Sequence, residues 1–234
     1  MKGFPKRDKP RWNLLMEIIR YMKDIAIYGA GGFGQEIACL LNIINGKELT
    51  WNLIGFFDDG KEKGEITRYG RILGGINELS SWGKLLSVVV AVGKPRTVFS
   101  IVQKISSPFI DFPNIIAPNV SFLDHSMVIM GKGNIVGLGC VISCNVIIGD
   151  FNVFNGSVGI GHDVSIGNYN SFMPNTRISG AVKLGNRNLI GVSAVILQGI
   201  KVTDDIVLGA GSVLMRKVKA GMTYVGNPAV IVKF

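Results

Sequence analysis

Fifteen apolar residues at strict intervals of six leave this chain very few architectures. Counting from Met130, the series continues through Val136, Ile142, Ile148, Phe154, Ile160, Ile166, Phe172, Ile178, Leu184, Ile190, Ile196, Val202, Leu208 and Leu214. With 47% hydrophobic residues overall, chance fills one such register with a probability on the order of 10⁻⁵. The interval fits neither the period of 2 of a strand nor the 3.6 of a helix. It predicts a triangular β-solenoid with one short strand per six residues, in which each apolar side chain stacks on the one a full coil earlier. Small, β-branched or asparagine residues stand two places before each repeat position (Val146, Asn152, Val158, Val164, Asn170 and onward). Glycine follows the repeat position at 137, 149, 161, 167, 185, 191 and 209. Glycine and asparagine are therefore expected to turn the corners.

The segment before the repeat has a different grammar. Asp24 to Tyr28 reads as a short buried strand running into Gly29-Ala30-Gly31-Gly32-Phe33-Gly34 and then a helical pattern over Gln35–Leu41. This is G-x-G-x-x-G between strand and helix, where glycines make a tight turn and let a phosphate approach the backbone N–H groups. Alternatively, Gly34 only packs helix on sheet. A second strand, Leu53–Phe57, ends in Asp58-Asp59, roughly where a ribose-reading acid belongs. A third, Val88–Val92, ends in Gly93-Lys94-Pro95-Arg96. The expected organisation is an extension over residues 1–21, a Rossmann-like α/β domain over 22–113 and an all-β parallel solenoid over 114–234.

Composition excludes several classes. No uninterrupted apolar run is long enough to span a membrane. The basic start is too short and too charged before Glu17 for a signal peptide. Three sparse cysteines (Cys39, Cys140, Cys144) fit a reducing, cytoplasmic setting. The net charge is +9, of which residues 1–23 hold +5 (seven basic groups against Asp8 and Glu17). The extension is expected to be dispensable, with a packing or partner-binding helix as the alternative. No nucleic-acid-binding module is recognisable; a mildly basic body suits small anionic ligands. Two histidines, His125 and His162, are too few for a histidine-rich metal site, so no metal is expected.

A solenoid needs no chemistry of its own, so function must come from residues that break the pattern. His162, two places after the inward Ile160, should point outward or sit at a corner. Its imidazole can take up a proton near neutral pH. Sequence adjacency alone leaves direct pairing with Asp163 open. Cys140 lies in the inward small-residue series and is a poor nucleophile candidate.

Four pieces carry a family resemblance: Ile27-Tyr28-Gly29-Ala30-Gly31-Gly32-Phe33-Gly34, Phe56-Phe57-Asp58-Asp59, His162-Asp163-Val164-Ser165-Ile166-Gly167 and Tyr224-Val225-Gly226-Asn227-Pro228-Ala229. In order and spacing, residues 23–234 resemble the hexapeptide-repeat sugar acetyltransferases of the sialic acid O-acetyltransferase and bacillosamine-pathway N-acetyltransferase type. The resemblance implies a left-handed β-helix and a homotrimer with acetyl-CoA between neighbouring solenoids. It also implies an acceptor nucleotide sugar on the N-terminal domain. It makes His162 the general base and Asp163 its acidic neighbour. Gly31, Gly32, Phe33, Asp58, Asp59, Lys94 and Asn155 become acceptor contacts. Gly180 becomes an N–H donor to the thioester carbonyl, and Gly191, Val192 and Ala210 line the CoA arm. Ser171 stands where members often carry a second histidine, Val98 where they carry arginine (Arg96 lies two residues earlier), and Ala117 where they often carry histidine. The expected function is acetyl transfer from acetyl-CoA to a nucleotide-linked amino sugar in glycan biosynthesis. The alternatives are O-acetylation of a sialic-acid-type sugar and a non-catalytic trimeric nucleotide-sugar-binding scaffold. A nicotinamide dehydrogenase would leave the solenoid idle, and a γ-type carbonic anhydrase needs three histidines.

Overall fold

The structure is a computed structural model that describes residues 22–232. The extension over residues 1–21, expected to be dispensable, lies outside the described residues. The N-terminal part is a six-stranded sheet built from β1 (Lys23–Tyr28), β2 (Trp51–Phe57), β3 (Ile66–Thr67), β4 (Gly70–Gly74), β5 (Leu86–Val90) and β6 (Ile110–Asp111). Its strand order is β3-β4-β2-β1-β5-β6, parallel except for the β3–β4 hairpin. Three helices complete it: α1 (Gly32–Asn45), α2 (Ile76–Ser80) and α3 (Pro95–Lys104). The chain leaves β1 to one side for β2 and returns on the other side for β5, so the glycine loop after β1 lies at a topological switch point. Helix α1 starts three residues before and ends four residues after the expected Gln35–Leu41, and β5 starts two residues earlier than expected, at Leu86. All five residues of β5 are buried, so its boundary carries no polar–apolar alternation to read.

From Ile115 the chain winds as a left-handed β-helix with three parallel faces. Face 1 contains Ile115–Ile116, Ile135–Val136, Val153–Phe154, Ser171–Phe172, Leu189–Ile190 and Val207–Leu208 and ends in the hairpin Thr223–Gly226/Ala229–Val232. Face 2 runs from Ser121–Phe122 to Val213–Leu214, and face 3 from Val128–Met130 to Lys201–Val202. Partners in the regular coils are 18 residues apart, as in Ile135↔Val153 and Ser171↔Leu189. The inward series is buried from Val136 to Leu214, and the half-buried Met130 packs against the same core.

Buried asparagines close each coil onto the next. Asn134, Asn152, Asn170 and Asn188 are fully buried on one column. Asn152 Oδ1 accepts from the Asn170 backbone N–H and side-chain amide, both at 2.9 Å. Asn170 Nδ2 also donates to the Gly185 carbonyl at 2.9 Å, and its Oδ1 accepts from Asn188 N–H at 2.8 Å. An interior amide with this many satisfied bonds holds the stacking register of neighbouring coils.

The corners bear out one expectation only in part. The left-handed backbone falls three residues after each repeat position from Met130 to Leu208: glycine or asparagine takes it at Gly133, Gly139, Asn145, Asn175, Gly199 and Gly211, and other residues take it at Phe151, Ser157, Asp163, Tyr169, Ala181, Arg187, Ser193 and Asp205. The repeat glycines instead answer a steric demand between coils: a Cβ on Gly167 would lie 2.6 Å from Asn186 Oδ1. Bulky residues at φ > 0 are costly and persist only where packing holds them. On the edge between faces 3 and 1 that packing is the N-terminal domain. Phe151 stacks on Tyr169 at 5.4 Å, Tyr169 meets Phe99 of α3 edge-on at 5.2 Å, and Arg187 lies over the same Phe99 ring. Arg96 at the start of α3 pairs with Asp205 at 3.1 Å. Val98, in the arginine position of the resemblance, is buried in the α3 core instead. Helix α1 covers the lower part of face 1, where Ile37, Leu40 and Leu41 join Ile115, Ala117, Ile135 and Val153 in one cluster.

Asn170→Ala should lower stability by at least about 2 kcal/mol, since it leaves several buried groups unpaired at about 1–3 kcal/mol each. Lys183→Ala, on the exposed side of face 3, should stay within about 0.5 kcal/mol of wild type. Denaturant midpoints at unchanged slope check this; equal midpoints for the two variants would show that the asparagine column does not hold the coils.

Candidate active site

The exposed edge between faces 2 and 3 carries the candidate chemistry. His162 occupies this corner directly before Asp163, whose φ of 59° turns its carboxylate back onto the ring. His162 Nδ1 lies 2.7 Å from Asp163 Oδ2, so the adjacent residues do pair, a point that sequence adjacency leaves open. The left-handed corner is the reason: in extended backbone, neighbouring side chains point to opposite sides. Asp163 Oδ1 accepts from Asn145 Nδ2, one coil earlier, at 3.0 Å. The bond from His162 first, and that from Asn145 second, hold the Asp163 carboxyl below its ordinary range. A carboxylate can only accept, so the proton sits on Nδ1 and Nε2 keeps its lone pair.

Gly180 is the residue one coil above His162. A Cβ there would lie 2.6 Å from His162 Nε2 and 2.7 Å from Cε1, so the missing side chain is what gives the ring its place. The Gly180 N–H makes no backbone hydrogen bond among the described residues. A proton acceptor and an unused N–H donor thus share one corner. Beside it, face 2 holds a groove of about 390 Å³ lined by Gly139, Val141, Ser157, Gly159, Arg177 and Ser179, among others.

The remaining expected site residues fall elsewhere. Gly191, Val192 and Ala210 lie on the edge between faces 1 and 2, one face away from Gly180 in the same chain; Val192 is exposed. Asn155 lies on that edge too and donates to the Phe172 carbonyl at 3.1 Å. With Phe33 it lines an apolar pocket of about 320 Å³ between α1 and face 1. Ser171 is buried on face 1 between Val153 and Leu189 and lies on a different face from His162's corner. It does not replace a second histidine beside His162 within one chain. Ala117 is likewise buried under α1.

The glycine loop divides into two roles. A Cβ on Gly34 would collide with the Gly29 carbonyl oxygen, so that glycine packs helix against loop. Among the described residues, nothing lies within 4 Å of a Cβ on Gly31, Gly32 or Gly93. Internal packing does not require glycine there, and all three positions are open to an approaching ligand. Helix α1 begins at this loop with Gly31 as its N-cap, no side-chain cap bond and no acidic residue in its first turn. Lys94 is exposed at the N-cap of α3. The two acids are already engaged. Asp58 accepts from Ala30 N–H at 2.7 Å and Gly60 N–H at 2.8 Å. Asp59 accepts from Tyr28 OH at 2.8 Å and Ile76 N–H at 2.7 Å. These bonds hold the loop, and each carboxylate, Asp59 being exposed, keeps lone pairs for a further donor. Burial first, and the bond to Asp59 second, push the Tyr28 hydroxyl well above its ordinary range. All three cysteines are free, and no group of three metal-ligating side chains occurs among the described residues. No described helix is long and apolar enough to cross a membrane. Arg177, on the groove wall, was not singled out in the sequence because an outward position in a repeat strand looks like ordinary surface.

Comparison with known proteins gives the fold a context. Residues 24–105 match the PglD N-terminal domain family. A perosamine N-acetyltransferase from Caulobacter crescentus, solved with CoA and GDP-perosamine, superposes with a TM-score of 0.80 at 22% identity over 90% of this chain and 97% of its own. The acetyltransferase domain of PglB from Neisseria gonorrhoeae gives 0.80 at 24% identity over 90% and 100%. WeeI from Acinetobacter baumannii gives 0.72 at 26% identity over 90% and 100%. No curated protein sequence matches the chain.

If Asp163 fixes the ring, ¹⁵N NMR above the histidine titration should show the Nδ1-protonated tautomer dominating at His162. Asp163→Ala should shift the population towards the other tautomer; His125→Gln assigns the signals, since the chain has two histidines. Because its carboxyl is held low, Asp163 stays ionised as pH rises from mildly acidic to basic, and the pairing is lost only as pH falls through that lowered value. A wild-type majority protonated at Nε2 would contradict the assignment.

Proposed function

We propose that this chain, built like the bacillosamine- and perosamine-type sugar N-acetyltransferases, transfers an acetyl group from acetyl-CoA to an amine on a nucleotide-linked sugar. The observation that carries this reading is the His162 corner, where an imidazole with Nδ1 tied to Asp163 presents Nε2 beside Gly180. A neutral sugar amine becomes cationic as it attacks the thioester carbonyl. His162 Nε2 takes that proton, and Asp163 stabilises the imidazolium that results. The Gly180 N–H donates to the carbonyl oxygen as negative charge develops there. The C–S bond then breaks, CoA leaves as its thiolate, and no acyl-enzyme forms. Gly31, Gly32, Phe33 and Lys94 are the acceptor's contacts on the N-terminal domain. Asp58 and Asp59 serve it by holding the loop, and Asn155 bounds the pocket beside α1. Gly191, Val192 and Ala210 lie on a different edge from Gly180, so one CoA meets both sets when edges of neighbouring chains face each other. A homotrimer with shared sites, acting in the cytoplasm, follows from that reading.

His162→Ala should lower kcat by about 10²–10⁴-fold, the usual worth of a positioned general base. The KM for acetyl-CoA should change by less than about twofold, because CoA contacts lie on Gly180 and the other edge. Asp163→Asn should cost less than His162→Ala. Steady-state kinetics decide, and turnover above about a third of wild type in His162→Ala would leave the histidine structural. Light scattering should give three chains per particle; a fully active monomer would remove the shared site.

A further inference from the structure

We infer that the corner turn Leu123–Met127 of one chain seats in the apolar pocket beside α1 of a second copy, locking that copy's N-terminal domain to the solenoid that supplies His162. This rests on the shared-site trimer proposed above. In the first coil, Phe122 and Met130 both pack against the solenoid core yet stand eight residues apart rather than six. Two extra residues therefore enter the edge between faces 2 and 3, where His125–Met127 form a 3₁₀ turn. The polar groups of the turn satisfy one another. The Asp124 carboxylate accepts from Ser126 N–H at 3.0 Å and from Ser126 Oγ at 2.6 Å, and the His125 ring meets Phe122 edge-on. Its apolar side chains have no such cover: Leu123 is 69% exposed and Met127 43%. An insertion that presents large apolar side chains on a preformed turn marks a contact surface.

The pocket has the complementary character. It follows α1 from Phe33 to Ile43, about 15 Å at the helical rise. On the solenoid side it takes in Leu138 and, one coil above, Asn155 and Gly156. Phe33 and Asn155 belong to the acceptor's end; Leu138 and Ile43 are left, each 42% exposed. The trimer sets the edge that carries His162 against a neighbour's edge that carries Asn155. The turn lies on the first of these edges and Leu138 on the second. Leu138 follows Met127 by less than one coil, so their heights differ by less than a strand spacing of about 4.8 Å. A three-fold axis parallel to the solenoid keeps that match between chains. His162 meets Asn155 and Gly156 in the same way at a higher level. Met127 thus closes the pocket below while the imidazole faces the acceptor's end. Since α1 begins at the glycine loop, the loop of one chain and the base of the next are held at a fixed distance.

The test is thiol crosslinking, because Cys39 is exposed in the same pocket. Met127→Cys and, as a second position, Leu123→Cys are made in a Cys144→Ser background, since Cys144 shares the edge of the turn; Cys140 is buried. Melting temperature confirms folding. Within one chain the turn and the pocket lie on opposite edges of face 2, six residues or about 20 Å of extended backbone apart, so a short bismaleimide joins only neighbours. At low micromolar protein it should give covalent pairs and closed rings of three chains. Cys39→Ser should abolish both products. Ile129→Cys, exposed on face 3 of the same coil and turned away from the neighbour, should give neither. A trimer by light scattering in which both turn variants fail to link to Cys39, or in which Ile129→Cys links equally well, would overturn this inference alone. One chain per particle would remove the shared-site reading and this inference with it.

Discussion

The stacking of one coil on the next, with partners 18 residues apart, is the constraint on which everything else in this molecule depends. Hydrophobic burial supplies the core, but burial is non-directional and would tolerate coils sliding past one another. The buried asparagines remove that freedom, because a shifted coil strands amide groups in an apolar interior. The column ends where Ile206 follows Asn188 and Thr203 stands where Gly185 and its predecessors stood, and there Asn188 Nδ2 and Thr203 Oγ1 have no partners among the described residues. Fixed register turns positions distant in sequence into permanent neighbours. Gly180 lies against His162 for this reason, and Asn145 reaches Asp163 for the same one.

The three edges of the prism have the same backbone and different tasks. Phe151, Tyr169, Arg187 and Asp205 form the edge that receives α3, and their aromatic and ionic contacts hold side chains that would otherwise be expensive at positive φ. Ser157, Asn175 and Ser193 turn the edge nearest the α1 pocket with small polar groups. Asp163 turns the edge that holds His162, and there the left-handed corner itself performs the positioning by folding the carboxylate onto Nδ1. A local conformational requirement of the solenoid thus produces a tautomer that can accept a proton.

Much of the fold could be read from residue order, because an inward side chain every six residues is a one-dimensional signal. Val136 to Leu214 are buried as that signal requires, and the strand–glycine–helix grammar of Ile27–Leu41 locates the switch point. The candidate site was less legible wherever its geometry depends on contacts between coils or domains. His162 stands out by chemistry, yet its bond to Asp163 depends on a backbone angle that aspartate does not announce. Asp58 and Asp59 have the spacing of ribose-reading acids, and their bonds to groups 17 to 31 residues away, which brace the loop, have no sequence signal. Ser171 sits nine residues after His162 and still lies on another face, because half a coil separates them.

The central claim is that one corner of the β-helix brings a base and an N–H donor to a single thioester. A crystal structure of the protein with CoA and a nucleotide-linked amino sugar tests it most directly. The expected result has the CoA sulfur beside the Gly180 amide and the sugar amine about 2.6–3.2 Å from His162 Nε2, the reach a general base requires. CoA bound away from Gly180, or the amine facing another group with His162 pointing into solvent, would contradict it.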